Sequence, residues 1–322
     1  MTGSIFGLSA SSAATVLEQD VTPRGAYRLP GAGRDGVTRR RGRALVRAIH
    51  HGEECAVVAA WPSGGAVRLR AQGPSREAAV HALGRMRFAL NLDHDLGPFH
   101  QRFKSDRLLG PILRRRPWLR PSRIADPFQA LAWAITEQLI EVERAFAIQR
   151  RLTWRYGRRS ACGTLLDSPS AATMAARAPA ELQACDLSAG RGLALVLCAR
   201  EVATGRVDLT AADHEHGWQR LARVREIGPW TLQKLALHGQ GRDDQLPAGD
   251  LAYIKLVGRL AGLGRRATVD EVTEWFEPYA PYQGLAGVHL LAGGHALTAS
   301  KPPATVRGGY PVTRPLGAGA RW

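Results

Sequence analysis

The sequence predicts a mainly helical protein with an N-terminal α+β domain, and three observations carry that prediction. Short apolar runs separated by turn signals occupy residues 44–69, as expected of hairpin strands. A long pattern of period 3.6 opens at Asp126-Pro127. Two short helical patterns then meet at Ile227-Gly228-Pro229 and lead into a Gly/Pro-rich stretch that closes on Asp250.

Size and composition set the bounds. The chain has 322 residues, 45% of them hydrophobic and 22% charged, which is ordinary for a globular protein with room for two domains. Lys and Arg number 44 against 28 Asp and Glu, a net charge of +16 with a pI near 10.8, so polyanionic partners are favoured. No stretch approaches the ~20 apolar residues of a membrane span, and the N-terminus lacks a basic start and an apolar run. Neither insertion nor export is expected. Cys55, Cys162, Cys185 and Cys198 form no C-x-x-C pair, and the histidines stand at no ligand spacing, so neither a zinc site nor an iron-sulfur cluster is expected.

In chain order, residues 1–20 are rich in Ser, Ala and Thr, and a poorly ordered start is expected. Residues 21–110 form the expected α+β domain. Its strands are Ala44 to Ile49, Ala56 to Trp61 and Val67 to Leu69. Its helix spans Ser75 to Leu92, with Ala79, Leu83, Met86 and Leu90 on one face. The run Arg39-Arg40-Arg41-Gly42-Arg43 reads either as a solvated turn or as a DNA contact. Residues 93–126, with Gly97-Pro98, Gly110-Pro111, Pro117 and Pro121, suit a crossing between domains, and a helical domain is expected over 111–300.

Asp126 is a good N-cap and Pro127 suits the first helical position. The pattern runs from there to Tyr156-Gly157. About thirty residues would span roughly 45 Å, so a break is expected near Gln138 to Glu141. Ser188 caps a further helix ending at Gly205, with Leu193, Val196, Leu197 and Ala199 as its apolar face. In the second hairpin helix Leu232, Leu235 and Ala236 face a core, leaving Gln233 and Lys234 outward. Backbone N–H groups at that helix's start suit a phosphate. Asp250 stands before the apolar pattern of Leu251, Ile254 and Leu256, where an ordinary N-cap and a functional carboxylate are both open readings. Another helix begins near Thr268, and the tail 301–322, rich in Pro, Gly and Arg, is expected to be flexible and basic.

Residues 216–250 resemble the helix-hairpin-helix, Gly/Pro-rich loop and Asp signature of base-excision DNA glycosylases. Ile227-Gly228-Pro229-Trp230-Thr231 followed by Leu246-Pro247-Ala248-Gly249-Asp250 look most like the DNA-3-methyladenine glycosylase II family. The resemblance implies a helix-hairpin-helix glycosylase fold, with the hairpin at 216–239 and a catalytic loop at 240–250. It implies Asp250 as the catalytic carboxylate and no cofactor. Trp230 occupies the position where bifunctional relatives carry a Schiff-base Lys, and an indole cannot form one, so a monofunctional enzyme is implied. Ala134 to Leu139 resemble the segment that approaches the lesion, with Gln138 at the base pocket and Leu139 as a wedge into the base stack. Core packing of Leu139 is the competing reading. Ile227, Gly228, Thr231 and Lys234 would grip the DNA backbone, and Trp230, Tyr279 and Tyr282 would hold an electron-poor base.

Three positions depart from the family pattern. Glu226 replaces the hairpin's first Gly, Gly249 replaces an Asp, and Tyr282-Gln283 stand where Trp-Arg is usual. The implied activity is excision of alkylated purines such as 3-methyladenine and 7-methylguanine from double-stranded DNA by base flipping. The protein is expected to be a monomer with no obligate protein partner, cytoplasmic and nucleoid-associated. A glycosylase for neutral lesions and a non-catalytic damaged-DNA-binding protein are the alternatives.

Overall fold

A computed structural model describes residues 14–293. Five strands come first: β1 (Thr15–Val21), β2 (Arg39–Arg41), β3 (Ala44–His51), β4 (Glu54–Ser63) and β5 (Ala66–Gly73). The helices that follow are α1 (Arg76–Ala89), α2 (Gly97–Phe103), α3 (Leu109–Arg115), α4 (Pro127–Glu137), α5 (Val142–Tyr156), α6 (Ala171–Ala175) and α7 (Pro179–Gln183). They continue as α8 (Ala189–Ala203), α9 (His214–Leu221), α10 (Pro229–Gly239), α11 (Leu251–Leu260), α12 (Val269–Phe276) and α13 (Gln283–Gly293). The protein is therefore mainly helical with one small sheet.

The chain divides into two compact units. The first comprises the residues up to Pro23, Leu29–His94 and Ile124–Glu226, and the second Arg24–Arg28, Asp95–Arg123 and the chain from Ile227 onward. These units do not follow the linear partition at 110/111 expected from composition. The sheet clusters with α4 to α9, because the chain leaves this unit at Asp95 and returns at Ile124.

In the first unit the sheet is antiparallel throughout, in the order β1-β5-β4-β3-β2. β5 alternates half-buried and buried residues, whereas the middles of β3 and β4 are buried at every position. Both faces of those two strands are covered: α1 packs on the sheet, and Ala44, Val46, Ala48, Val57, Ala59 and Trp61 join Leu165 in a separate core. β1 corrects the expectation of a poorly ordered start for residues 15–20. Its pairing with β5 is reinforced across the strands by Arg68 to Asp20 and Arg70 to Glu18. The basic run Arg39 to Arg41 forms the short edge strand β2, where charge blunts an open edge. Arg39 and Arg41 there donate to Thr164, at 3.2 and 3.0 Å.

α4 begins as expected, the Asp126 carboxylate accepting the Phe128 N–H at 2.9 Å with Pro127 in the first turn. The break also falls where expected, between Glu137 and Val142. Ser188 and Gly205 bound α8, and Val196 and Ala199 are buried as expected, but Leu193 is 48% exposed and Gly192 and Leu195 join the buried face. The hairpin passes from α9 through Ala222–Gly228 into α10. Glu226 stands there at φ 75°, a left-handed conformation that disfavours any residue with a Cβ. The backbone thus keeps the glycine-like turn although the glycine is gone.

The core of the second unit is built from α2, α3, α11, α12 and α13, with Phe99, Phe103, Leu109, Val257, Phe276 and Leu290 all under 5% exposed. In α10, Leu232, Leu235 and Ala236 are buried as expected, but Gln233 is buried too, at 5% exposure. A helix covered over more than one face leaves little of its circumference to water. The residues 301–322 expected to form a flexible tail lie outside those described.

The turn generates a stability prediction. Glycine at position 226 would relieve the left-handed strain, partly offset by the greater freedom of an unfolded Gly. Glu226→Gly is expected to leave the unfolding free energy unchanged or raise it by up to about 1 kcal/mol. Glu226→Val should lower it by about 1–2 kcal/mol. Urea denaturation of the two variants checks this, and the reverse order would contradict the strain argument.

Candidate functional site

The loop between α10 and α11 is pinned at several points. Arg123, 8% exposed, donates to the Leu237 carbonyl at the end of α10 and to the Asp243 carboxylate at 2.5 Å. Burial alone lowers the pKa of this guanidinium, and the Asp243 carboxylate works against that shift. Arg242 forms a two-pronged ion pair with Asp244, at 2.8 and 2.7 Å. The Asp243 carbonyl accepts the Gly284 and Leu285 N–H groups, at 2.8 and 3.2 Å, and so ties the loop to the start of α13. Gly287 is required nearby, since a Cβ there would come within 2.5 Å of Leu246 and 2.9 Å of the Tyr253 ring.

This anchoring delivers Asp250. Its N–H donates to the Pro247 carbonyl at 2.8 Å, and its carboxylate accepts the Ala252 N–H at 2.9 Å, which makes it the N-cap of α11. The cap uses one oxygen of a half-buried carboxylate. One turn on, Tyr253 is buried, and its hydroxyl pKa is raised by burial and then by the Asp250 carboxylate.

Trp230 lies in the first turn of α10, half-buried, and meets this loop at Gly249: a Cβ on that glycine would stand 3.8 Å from Trp230. The Lys234 ammonium sits 5.6 Å from the Trp230 ring centroid, one helical turn along. Trp230, Lys234, Gly249 and Asp250 therefore come together within the second unit. Thr231 is buried at 1% exposure and Ile227 at 5%, so what these residues can offer a phosphate is backbone. Gly228 has open space on its Cα, and its carbonyl accepts the Thr231 and Leu232 N–H groups.

One expected pocket aromatic, Tyr279, is placed otherwise. Tyr279 is 0% exposed, packed against Phe103, Trp275 and Phe276, and so offers no face to a base; its position in a helix-terminal turn carries the ring inward. Tyr282 is half-buried against Phe99 and Phe103, with centroids 5.6 and 6.3 Å away.

In the first unit, Gln138 and Leu139 occupy the break between α4 and α5. Leu139 is fully exposed at φ 53°, which corrects the reading of it as a core residue. The Gln138 side chain donates to the Glu226 carbonyl at 2.7 Å. Arg191 of α8 donates to the carbonyls of Thr136 and Gln138, at 3.1 and 3.2 Å, and clamps the loop from below. Sequence reasoning missed Arg191 and Arg123, since nothing local marks an arginine that will cap a carbonyl more than fifty residues away. Among the described residues, no group of three or more His, Cys, Asp or Glu side chains could hold a metal ion.

No protein-family model matches the chain. A DNA-3-methyladenine glycosylase of Bacillus subtilis (strain 168) is 26% identical over 214 residues, spanning 62% of this chain and 68% of that protein. Two further curated relatives are matched over 52% and 42% of their lengths. Among solved structures, a 3-methyladenine DNA-glycosylase from Archaeoglobus fulgidus superposes with a TM-score of 0.73 at 17% identity, covering 86% of this chain and 97% of that one. An 8-oxoguanine glycosylase/lyase from Clostridium acetobutylicum in complex with double-stranded DNA gives 0.63 at 14% identity, over 80% and 87%. At such identities the two structures speak to fold. The chain thus has the fold of helix-hairpin-helix DNA glycosylases, and it is similar in sequence to a protein named as a DNA-3-methyladenine glycosylase.

Proposed function

We propose that the protein is a monofunctional DNA glycosylase that flips alkylated purines out of double-stranded DNA and hydrolyses their N-glycosidic bonds. The observation that carries this reading is the Asp250 carboxylate, held at the start of α11 beside Trp230 by an anchored loop. Its relatives named as DNA-3-methyladenine glycosylases support the substrate class. Breaking the bond builds positive charge on the deoxyribose, and a fixed carboxylate stabilises that charge and orients the attacking water. Trp230 offers its ring to the electron-poor base. The exposed Leu139, on its clamped loop, is the wedge that fills the space of the flipped nucleotide, with Gln138 beside it. The backbone around Ile227, Gly228 and Thr231, with Lys234, holds phosphate without reading sequence. The protein works as a monomer on chromosomal DNA, at the cytoplasmic nucleoid. No helix among the described residues is long and apolar enough to cross a membrane.

Asn caps a helix as well as Asp does. Asp250→Asn is therefore expected to keep stability within about 1 kcal/mol and to keep DNA binding. Base release should fall at least roughly a hundredfold, the usual electrostatic contribution being ~2.7 kcal/mol or more. Single-turnover release from methylated duplex DNA measures it, and near-normal turnover would remove Asp250 from the chemistry.

With Trp230 in place of a lyase lysine, the product is an intact abasic site. Borohydride added during turnover should trap no protein–DNA adduct on a denaturing gel. A trapped adduct would reveal an amine nucleophile elsewhere and end the monofunctional assignment.

Substrate order follows from leaving-group chemistry. A purine alkylated at N3 or N7 departs as a neutral base, whereas hypoxanthine or 8-oxoguanine needs a general acid, worth typically ~10² to 10⁴ in rate. Glu137, near the lesion-facing segment, accepts a hydrogen bond from Gln149 at 3.2 Å. 3-Methyladenine and 7-methylguanine should be released faster than either neutral lesion from matched duplexes. The opposite order would favour the neutral-lesion enzyme, and release of none would favour a damage-binding protein.

A further inference from the structure

Within the first unit a cavity of about 500 Å³ opens between β3, α1, the start of α4 and the loop that follows α8. Its lining includes the apolar Ile49, Phe128, Val207 and Leu209 together with Arg47 and Arg85.

Arg47 has a side chain only 4% exposed. Its Nη2 donates to the Gln129 carbonyl oxygen at 2.6 Å and to the Asp167 carboxylate at 3.2 Å. Its Nε is buried and finds no acceptor among the described residues. Arg85 repeats the pattern from α1. Its Nε donates to the Ala125 carbonyl, while its buried Nη2 has no acceptor. Burial presses the Arg85 pKa below its ordinary value, with Asp126 opposing and Arg47 adding to the shift. Two guanidinium N–H groups are thus withdrawn from water without a partner, which costs free energy.

The carboxylates already lining the cavity do not answer these donors. Asp167 is engaged by Arg47, by the His50 N–H at 3.0 Å and ring nitrogen at 3.1 Å, and by the Ser168 N–H at 2.9 Å. Asp208 accepts the Thr210 N–H and hydroxyl, at 2.8 and 2.7 Å. Asp126 caps α4, and burial followed by the nearby Asp167 carboxylate raises its pKa toward the neutral form. The positive end of the eleven-residue α4 also faces this space, through Pro127 and Phe128.

We infer that this cavity binds a small organic carboxylate with an apolar body, its carboxylate bridging Arg47 and Arg85 and its carbon skeleton lying on Ile49, Phe128, Val207 and Leu209. Guanidinium forks match carboxylate geometry, and cavities of this size commonly hold small molecules through apolar walls with a few convergent polar groups. Inorganic phosphate fits less well. It would leave the apolar residues uncovered. Every lining residue belongs to the first unit, so the inference stands independently of the role given to Asp250.

The test uses the full chain with benzoate, hexanoate, benzyl alcohol and inorganic phosphate, followed by calorimetry and thermal unfolding. Benzoate or hexanoate should bind saturably at one site and raise Tm, and benzyl alcohol, which keeps the ring and loses the charge, should bind at least about tenfold more weakly. Arg85→Met should weaken the carboxylate at least about tenfold while leaving base release within about twofold, since this site lies outside the proposed chemistry. Comparing benzoate with benzyl alcohol on the unaltered chain decides the matter even if the variant folds poorly. Four outcomes would overturn the inference: no saturable carboxylate binding below about 10 mM, benzyl alcohol binding as tightly as benzoate, phosphate binding more tightly than either carboxylate, or undiminished binding to a folded Arg85→Met protein.

Discussion

The buried guanidinium of Arg123 is the contact on which the geometry of the loop between α10 and α11 depends. It gathers the Leu237 carbonyl at the end of α10 and the Asp243 carboxylate into one hydrogen-bonded knot, with the Gly241 carbonyl at 3.5 Å. A loop so rich in Gly would otherwise lose much conformational entropy on ordering. Anchored at both ends, it can present one carboxylate at a helix start without strain: Asp250 has ordinary extended angles, φ −69° and ψ 130°. The cost of rigidity is borne away from Asp250.

Left-handed backbone at residues with a Cβ occurs instead at Asn91, Leu139, Asp186 and Glu226 among the described residues. Leu139 and Glu226 both adopt left-handed conformations although each carries a Cβ. Such residues persist where their surroundings over-determine them. Here the surroundings are explicit, since Arg191 holds the Gln138 carbonyl and the Gln138 side chain holds the Glu226 carbonyl. An apolar side chain exposed at such a turn gains nothing from burial in the free protein.

The first unit solves a different problem. Its sheet is covered on both faces, so β3 brings a charged residue, Arg47, into the interior. The charge is tolerated because Asp167 lies against it, and because Gln129 supplies a further acceptor. Removing Asp167 would leave Arg47 without its buried counter-charge, which binds residues 120 positions apart into one structural unit.

Much of the protein was legible in its residues, wherever the deciding signal was local. Asp126-Pro127 marked the start of α4, the span limit of a globular helix marked the break before α5, and Gly, Pro and Asp spacing marked the hairpin, its loop and the carboxylate at position 250. Caps, turn residues and periodicity act within one or two turns of chain, so they can be read in one dimension. What only the tertiary structure decided was long-range. Thr15 to Val21 became a strand because Val67 to Gly73 lay open to pair with it. Tyr279 went inward because Phe103, from α2, lay across from it, and Leu139 went outward because Arg191 held its loop. The compact units interleave for the same reason: contacts between residues a hundred positions apart outweigh the order in which the chain supplies them, and no local pattern encodes which distant partner will be there.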